Sequence, residues 1–177
     1  MLAEETGFEG LKVLRNFVSH DNRGIFVKTF NKRQFGQVGL PFEGHESYYS
    51  VSGQDVLRGM HFQLPPHAHE KLVYVTQGHI LDVVVDLRTT STTYRQIFSL
   101  ALEAHTQALF IPQGFAHGFL TLSPTATVVY SVATGYEPSA DAGIRWDSLD
   151  FAWPVIQPVT SERDQTFPTL ADFVSPF

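Results

Sequence analysis

Short runs of β-branched and aromatic residues recur along most of this 177-residue chain, and turn residues separate them. The clearest pair, Lys71–Val75 and Ile80–Leu87, predicts two strands joined by a hairpin turn at Thr76–His79. No long segment has the 3.6-residue period of an amphipathic helix. The pattern therefore restricts the chain to an all-β architecture, either a sandwich or a closed barrel.

Further segments of the same kind lie before and after this pair. The additional predicted strands are Gly24–Phe30, Gln96–Leu102, Ala108–Ile111, Gly118–Leu122 and Ala126–Ala133. We expect a helical turn at Asn31–Gly36. The tail from Pro154 onward is rich in proline, serine and threonine, and we expect it to wrap the surface before Phe173–Phe177. No repeat or domain boundary is visible, so residues 1–177 are predicted to form a single domain.

Net charge and cysteine content exclude several classes of function. The formal charge of -6 at pH 7 argues against nucleic-acid binding, which normally requires a basic surface. A local cluster of arginines can still bind a small phosphorylated ligand. The absence of cysteine excludes disulfides, zinc–thiolate sites and a thiol nucleophile. No signal peptide and no membrane-length apolar run is visible, so we expect a cytoplasmic protein without membrane contacts.

Two segments are similar to a degraded cupin signature, the jelly-roll pattern that often builds a metal site. Pro112–His117 has its proline, glycine and histidine at the usual spacing. In the other half, Lys71 takes the usual glutamate position and Pro65 that of the first histidine. An ammonium group repels a divalent cation, and His67 and His117 alone rarely suffice as ligands. The nearby substitutes are His69 and Glu70. We therefore predict a cupin-like jelly roll, with short peripheral helical turns and no metal.

The strand-like run Leu57–Gln63 carries charged and titratable side chains among apolar ones. His61 lies in this run, and Lys71 follows it by ten residues. A histidine and a lysine in one cleft supply a base and an electrophile for removing a proton next to a carbonyl. The alternatives are a hydrogen-bonded core histidine and a lysine that extends from a strand end to solvent.

Seven blocks between about Asp21 and about Pro168 resemble the dTDP-4-dehydrorhamnose 3,5-epimerase family, in the family's order. They are Asp21–Phe26, Leu57–Gln63, Lys71–Val73, Asp82–Arg88, Ile111–Phe119, Trp153–Pro154 and Ser161–Asp164. The resemblance implies a homodimeric, cofactor-independent epimerase in deoxysugar biosynthesis. Its substrate would be a nucleotide-linked 4-keto-6-deoxy sugar.

The resemblance also implies roles for individual residues. Protons at C3 and C5 flank the C4 ketone, so removing one gives an enolate whose charge must be stabilised. His61 is the expected base, and Asp164 is expected to orient its ring. Lys71 would face the enolate oxygen, and Tyr130 would be the acid on the opposite face. Without the resemblance, the alternative interpretations are that Tyr130 is an ordinary aromatic residue of the core and that Asp164 caps a local turn. The expected substrate-binding residues are Arg23, Lys28, Glu46, Tyr48, Arg58, Gln63, His117, Tyr136, Asp141 and Arg163.

Three of these positions depart from the family in a way that bears on specificity. Glu46 and Tyr48 stand where the family usually presents glutamine and asparagine to the thymidine, and Lys28 replaces a glutamate. An ionised glutamate only accepts hydrogen bonds. It cannot donate to a thymine carbonyl, but it can accept from guanine or cytosine. We therefore hypothesise that the nucleotide is GDP or CDP rather than dTDP.

Four other functions fit parts of the sequence. The first is epimerisation at C3 only or at C5 only, and the second is ketoisomerisation of a similar 4-keto sugar. The third is a non-enzymatic sugar-binding jelly roll, and the fourth is a metal-dependent cupin oxygenase. The blocks Leu57–Gln63 and Ser161–Asp164 favour the epimerase over the ketoisomerase, whereas the sequence does not show whether one carbon or both are inverted.

Overall fold

The computed structural model describes residues 2–40 and 42–177. They form two antiparallel sheets, a separate hairpin, one 3₁₀ turn at Trp146–Ser148 and two short helices. The strands are β1 (Leu2–Glu5), β2 (Lys12–Arg15), β3 (Phe17–Asp21), β4 (Gly24–Lys28), β5 (Glu46–Gly53), β6 (Leu57–Gln63), β7 (Lys71–Gln77), β8 (His79–Asp86), β9 (Ile97–Glu103), β10 (Gln107–Ile111), β11 (Phe115–Thr121), β12 (Thr125–Val132) and β13 (Asp141–Gly143). The helices are α1 (Lys32–Gln37) and α2 (Glu162–Thr166).

The two sheets differ in their number of strands. The larger sheet has the order β1-β2-β10-β7-β12-β5, and the smaller sheet has the order β13-β6-β11-β8-β9. The chain passes from one sheet to the other several times, as after β6 and after β7. Strands β3 and β4 pair only with each other. The predicted all-β, cupin-like jelly roll is confirmed.

The main core lies between the inner faces of the two sheets. Val73 and Val128 of the larger sheet pack with Val84, Leu102 and Phe119 of the smaller one, and all five are buried. Such side chains alternate along each strand because successive residues of a strand point to opposite faces. The inner faces therefore account for the period-2 part of the sequence pattern.

The outer faces are covered as well, which explains the continuously apolar strands. Val83 and Val85 of β8 point away from the main core and pack under the C-terminal segment, where Trp153, Phe173 and Phe177 cover them. All seven residues of β11 are buried. The expected wrapping of the tail over the surface therefore closes a second core on the smaller sheet.

The predicted hairpin at Thr76–His79 is wrong. Strands β7 and β8 do not pair, because β7 belongs to the larger sheet and β8 to the smaller one. Gly78 makes the crossing with φ +75°, and a Cβ there would lie 2.1 Å from the carbonyl oxygen of Thr125. The turn signal was therefore real, but it marks a corner between sheets.

Helix α1 confirms the helical turn expected at Asn31–Gly36. The Asn31 side chain accepts a hydrogen bond from the Gln34 N–H and so caps the first turn. Phe35 then packs, fully buried, on the outer face of the larger sheet. In the described part of the chain, no helix is both long enough and apolar enough to cross a membrane.

Candidate active site

A cavity of about 420 Å³ is lined by residues of both sheets. Eleven of the fourteen residues expected at the site line it: Glu46, Tyr48, Arg58, His61, Gln63, Lys71, His117, Tyr130, Tyr136, Asp141 and Arg163. Asp164 lies directly behind His61. Arg23 and Lys28 lie elsewhere. The jelly roll thus gathers residues from β5, β6, β7, β11, β12, β13 and α2 around one space.

His61 and Asp164 form a hydrogen-bonded pair at one wall. Ser161 caps helix α2 by accepting from the Asp164 N–H, which fixes the first turn behind β6. The Asp164 carboxylate lies 2.8 Å from His61 Nε2 and accepts the Gly59 N–H at 3.1 Å. Burial opposes its ionisation, but His61 and the Gly59 N–H outweigh burial and lower the pKa of Asp164 to about 2. The partner of His61 is therefore a permanent anion at neutral pH.

This contact determines which nitrogen of His61 is basic. An ionised carboxylate only accepts hydrogen bonds, so the ring must place its proton on Nε2. Arg163 Nη2 lies 3.0 Å from the same Nε2 and cannot donate to a nitrogen that already carries that proton. The lone pair is left on Nδ1. Burial lowers the pKa of His61 below 6.5, against the opposing effect of Asp164. The imidazole is consequently a neutral base at pH 7.

Lys71 supplies a buried ammonium group. Its side chain is 8% exposed, and Nζ donates to the His61 carbonyl oxygen at 3.2 Å. Burial lowers the pKa of Lys71 to about 8, and the carboxylates of Asp141 and Asp82 partly offset this effect. An ammonium group has three donors, and this is its only protein acceptor among the described residues. Lys71 therefore has donors left for a ligand oxygen in the cavity.

Tyr130 lies on the other sheet from His61, across the cavity. Its ring stacks on Tyr48 and makes a T-shaped contact with His117, and its hydroxyl lies 3.4 Å from Ser50 Oγ. Burial raises the pKa of Tyr130 well above its ordinary value of 10. The phenol is therefore held in its protonated form, which is the form that a proton donor needs.

His117 is held by a partner that the sequence did not reveal. His117 Nε2 lies 2.9 Å from Asp82 Oδ2, and both side chains are buried. Asp82 Oδ1 is buried with no hydrogen-bond partner among the described residues. The available signal was an aspartate inside the apolar run Ile80–Leu87, where a buried carboxylate needs a paired donor. Ser50 and His69 also line the cavity, and the sequence predicted no catalytic or substrate-binding role for either.

Gln63 lines the cavity, and protein groups contact both ends of its side-chain amide. Its Nε2 donates to the His67 carbonyl oxygen at 2.9 Å, and its Oε1 accepts the Glu137 N–H at 2.7 Å. Both ends of the amide are thus engaged by protein groups. Gln63 lines the cavity, but in this geometry it secures the loop that carries Tyr136.

The same loop is held from two further directions at the cavity rim. Glu46 Oε2 accepts the Tyr136 N–H at 2.9 Å, and the Tyr136 hydroxyl donates to Asp141 at 3.2 Å. Arg163 also pairs with Asp141. The Tyr136 ring remains 58% exposed. An aromatic face held at a cavity mouth between charged groups is suited to stacking on a flat ligand.

Arg23 and Lys28 do not reach the cavity within this chain. Arg23 pairs with Asp21 at the turn of the β3–β4 hairpin, and the Lys28 ammonium lies over the ring of Phe17. The hairpin exposes large apolar side chains, with Phe17 53% and Phe26 59% exposed.

The positions that bind metal in other cupins are otherwise engaged here. Lys71 and Pro65 stand at two of them, and His117 is paired with Asp82. His69 Nδ1 lies 2.9 Å from the Thr134 hydroxyl. Within residues 2–40 and 42–177, no group of three or more histidine, aspartate or glutamate side chains is arranged to hold a metal ion.

Comparisons with known proteins identify the family. The family model described as dTDP-4-dehydrorhamnose 3,5-epimerase matches residues 5–172. The chain belongs to this family. It is 40% identical over 148 residues to the dTDP-4-dehydrorhamnose 3,5-epimerase of Shigella flexneri, covering 81% of this chain and 82% of that one.

Solved structures of epimerases are similar to this chain in both sequence and fold. The enzyme of that name from Bacillus anthracis str. Ames, with TDP and PPi bound, is 38% identical with a TM-score of 0.92, covering 96% of this chain and 99% of that one. A 3'-monoepimerase from Streptomyces bikiniensis in complex with dTDP-quinovose is 32% identical with a TM-score of 0.87, covering 94% and 86%. The predicted family and the predicted epimerase function in deoxysugar biosynthesis are confirmed. The substrate is a nucleotide sugar.

Proposed function

We propose that this epimerase inverts both C3 and C5 of a dTDP-linked 4-keto-6-deoxyhexose without a cofactor. The observation that carries the proposal is the placement of a neutral His61–Asp164 base on one sheet and a protonated Tyr130 on the other. Lys71 lines the same cavity with free donors. Together these groups supply the base, the acid and the cation that enolate chemistry needs.

Proton removal is the first step, and His61 is suited to it. Nδ1 takes the proton from the carbon next to the C4 ketone, and the bond electrons move to the ketone oxygen. Asp164 then faces an imidazolium, which its buried carboxylate stabilises. The Lys71 ammonium stabilises the negative charge that develops on the ketone oxygen. Groups already placed where charge develops need no reorganisation during the reaction.

Proton return on the opposite face completes the inversion. A single base returns the proton to the face from which it came, so inversion needs a second group across the ring. Tyr130 lies on the sheet opposite His61, and burial keeps its phenol protonated. The phenol donates to the carbon of the enolate, and the C4 ketone re-forms. His61 then loses its proton to solvent and Tyr130 regains one from solvent, which restores the base and the acid. Repetition at the second carbon, after the sugar ring turns that carbon toward His61, gives the 3,5-product.

Inversion at a single carbon is the close alternative, because the chain is also similar to a 3'-monoepimerase. The test is incubation with dTDP-4-keto-6-deoxyglucose, followed by proton NMR coupling constants at C3 and C5 of the product. We expect inverted couplings at both carbons. Inversion at only one carbon would reduce the function to mono-epimerisation, and a product whose carbonyl has moved from C4 to a neighbouring carbon would indicate a ketoisomerase.

A second candidate keeps this chemistry and changes the nucleotide to CDP or GDP. Glu46 supports it, because Oε2 accepts from the Tyr136 backbone while Oε1 has no partner among the described residues. A free carboxylate oxygen beside the proposed stacking ring accepts readily from the amino group of cytosine or guanine. Dissociation constants of dTDP, CDP, GDP and UDP for the wild type and for Glu46→Gln decide between them. A preference for dTDP that Glu46→Gln leaves unchanged would remove the second candidate.

We infer that the epimerase acts as a homodimer in which the β3–β4 hairpin reaches the partner's cavity. The exposed Phe17 and Phe26 support this, since contiguous exposed apolar side chains usually mark an interaction surface. In a dimer, Arg23 and Lys28 can contact a substrate that they do not approach within one chain. Light scattering should give twice the monomer mass, and Phe26→Ser should shift it toward monomer. A monomer at micromolar concentration with full activity would refute the inference.

A further inference from the structure

Tyr48 and Tyr130 form a cross-strand aromatic pair. They lie directly opposite each other in the antiparallel pairing of β5 with β12. Their ring centroids are 5.0 Å apart, with 22° between the planes. Directly opposite residues of neighbouring strands place their side chains on the same face, about 5 Å apart. The stack therefore follows from the backbone register of two strands.

Tyr48 covers a part of Tyr130 that the other neighbours leave open. His117 contacts Tyr130 at 6.2 Å between centroids with 68° between the planes, so this contact is edge to face. His117 is itself fixed by Asp82. Ser50 approaches only the hydroxyl. Tyr130 also belongs to the main core cluster, but among its described aromatic contacts the Tyr48 ring is the stacked one, and a stacked ring opposes rotation of the Tyr130 ring out of its plane.

We propose that Tyr48 is a positioning residue for the acid, holding the Tyr130 phenol aimed at the carbon on the face opposite His61. This proposal rests on the proposed function, because it assumes that Tyr130 returns the proton. The Tyr48 hydroxyl makes no hydrogen bond within the described chain, so the effect belongs to the ring. A substitution that keeps the ring is therefore expected to keep the positioning.

The charge state of Tyr48 is compatible with this role. Burial, with the nearby carboxylates of Glu46 and Asp141, raises the pKa of Tyr48 to about 12. Tyr48 consequently stays neutral through the working pH range. It does not repel the phenolate that Tyr130 becomes after it has donated its proton.

The matched variants are Tyr48→Phe, which keeps the ring, and Tyr48→Leu, which keeps an apolar side chain without one. Each is incubated with dTDP-4-keto-6-deoxyglucose in D2O. Deuterium in sugar of unchanged configuration reports proton removal and return by His61, and inverted product reports the acid. The ratio of inverted product to exchanged, uninverted sugar therefore reports on proton donation by Tyr130 separately from proton removal by His61. A change in KM does not alter this ratio. Tyr94→Phe, outside the cavity, is the control for an unrelated tyrosine.

We expect Tyr48→Leu to lower this ratio about two- to tenfold, the effect typical of losing one ring of an aromatic pair. Tyr48→Phe should keep the ratio within about twofold of wild type, because it retains the stack. A wild-type ratio in Tyr48→Leu, or an equal loss in Tyr48→Phe, overturns the proposal. If the wild type shows neither exchange nor inversion, the proposed function fails as well, which distinguishes the two failures.

Discussion

Replacing Asp164 by asparagine tests the basicity of His61 with little change of shape. The amide can still accept the Gly59 N–H, but its NH2 group then faces His61 Nε2. The ring must accept at Nε2 and move its proton to Nδ1, which removes the lone pair that acts as the base. The lost charge adds to this effect. The fall in the pKa of Asp164 from 3.8 to about 2, which is the net effect of its partners and its burial, corresponds to roughly 2.5 kcal/mol, or about 60-fold in rate.

Together the wrong tautomer and the lost charge should lower kcat by about three to four orders of magnitude. The assay is NMR detection of C3 and C5 exchange under saturating substrate. Asp172→Asn, which changes an exposed carboxylate of the same tail, is the control and should leave kcat unchanged. A melting temperature near that of the wild type would show that α2 is still in place. If Asp164→Asn keeps kcat within tenfold of wild type, the assignment of Nδ1 as the base is wrong.

Four further outcomes follow from the same geometry. A plot of kcat/KM against pH should rise as His61 loses its proton, with a midpoint below 6.5, and fall near pH 8 as Lys71 loses its charge; a flat profile from pH 7 to 10 would contradict the role of Lys71. Tyr130→Phe should lose inversion by about two to four orders of magnitude, while deuterium exchange into unchanged substrate continues. Lys71→Met should lower kcat about 10²- to 10³-fold, measured at saturating substrate, because the enolate loses its cation. Phe35→Ala should destabilise the fold by about 3–5 kcal/mol in urea unfolding, because its ring is fully buried against Phe30 and Phe42.

Three of the strands that the sequence predicted are largely buried, whereas the predicted strand at Gly24 lies in the exposed β3–β4 hairpin. β7, β8 and β12 consist largely of β-branched residues because they pack on the core, and their bounds were predicted within two residues. β1 and β3 are short and largely exposed, and each mixes polar and apolar residues, so their sequences show no strand-like period. The partner of a strand is also invisible in its pattern, which is why Thr76–His79 was misread as a hairpin. Gly78 marks a turn in either topology.

The site could be anticipated only as far as the resemblance extended. His61 and Lys71 stand out by residue type within apolar strands. Asp164 lies 103 positions away from His61, and no local pattern joins them. The role of Asp82 as the partner of His117 was not predicted, because a single aspartate in a strand fits the usual alternation of polar and apolar residues. Gln63 lines the cavity, but its hydrogen bonds to the loop that carries Tyr136 could not be predicted, because only the fold determines the position of that loop.

Deuterium incorporation from D2O at C3 and C5 of a nucleotide-linked 4-keto-6-deoxyhexose tests the central claim most directly. The account predicts that the wild-type protein incorporates deuterium at both carbons and also converts the sugar to the inverted product. It also predicts the loss of label at both carbons in His61→Asn, which keeps a polar side chain but removes the base. Label at neither carbon with the wild type, or undiminished label in His61→Asn, would contradict the account.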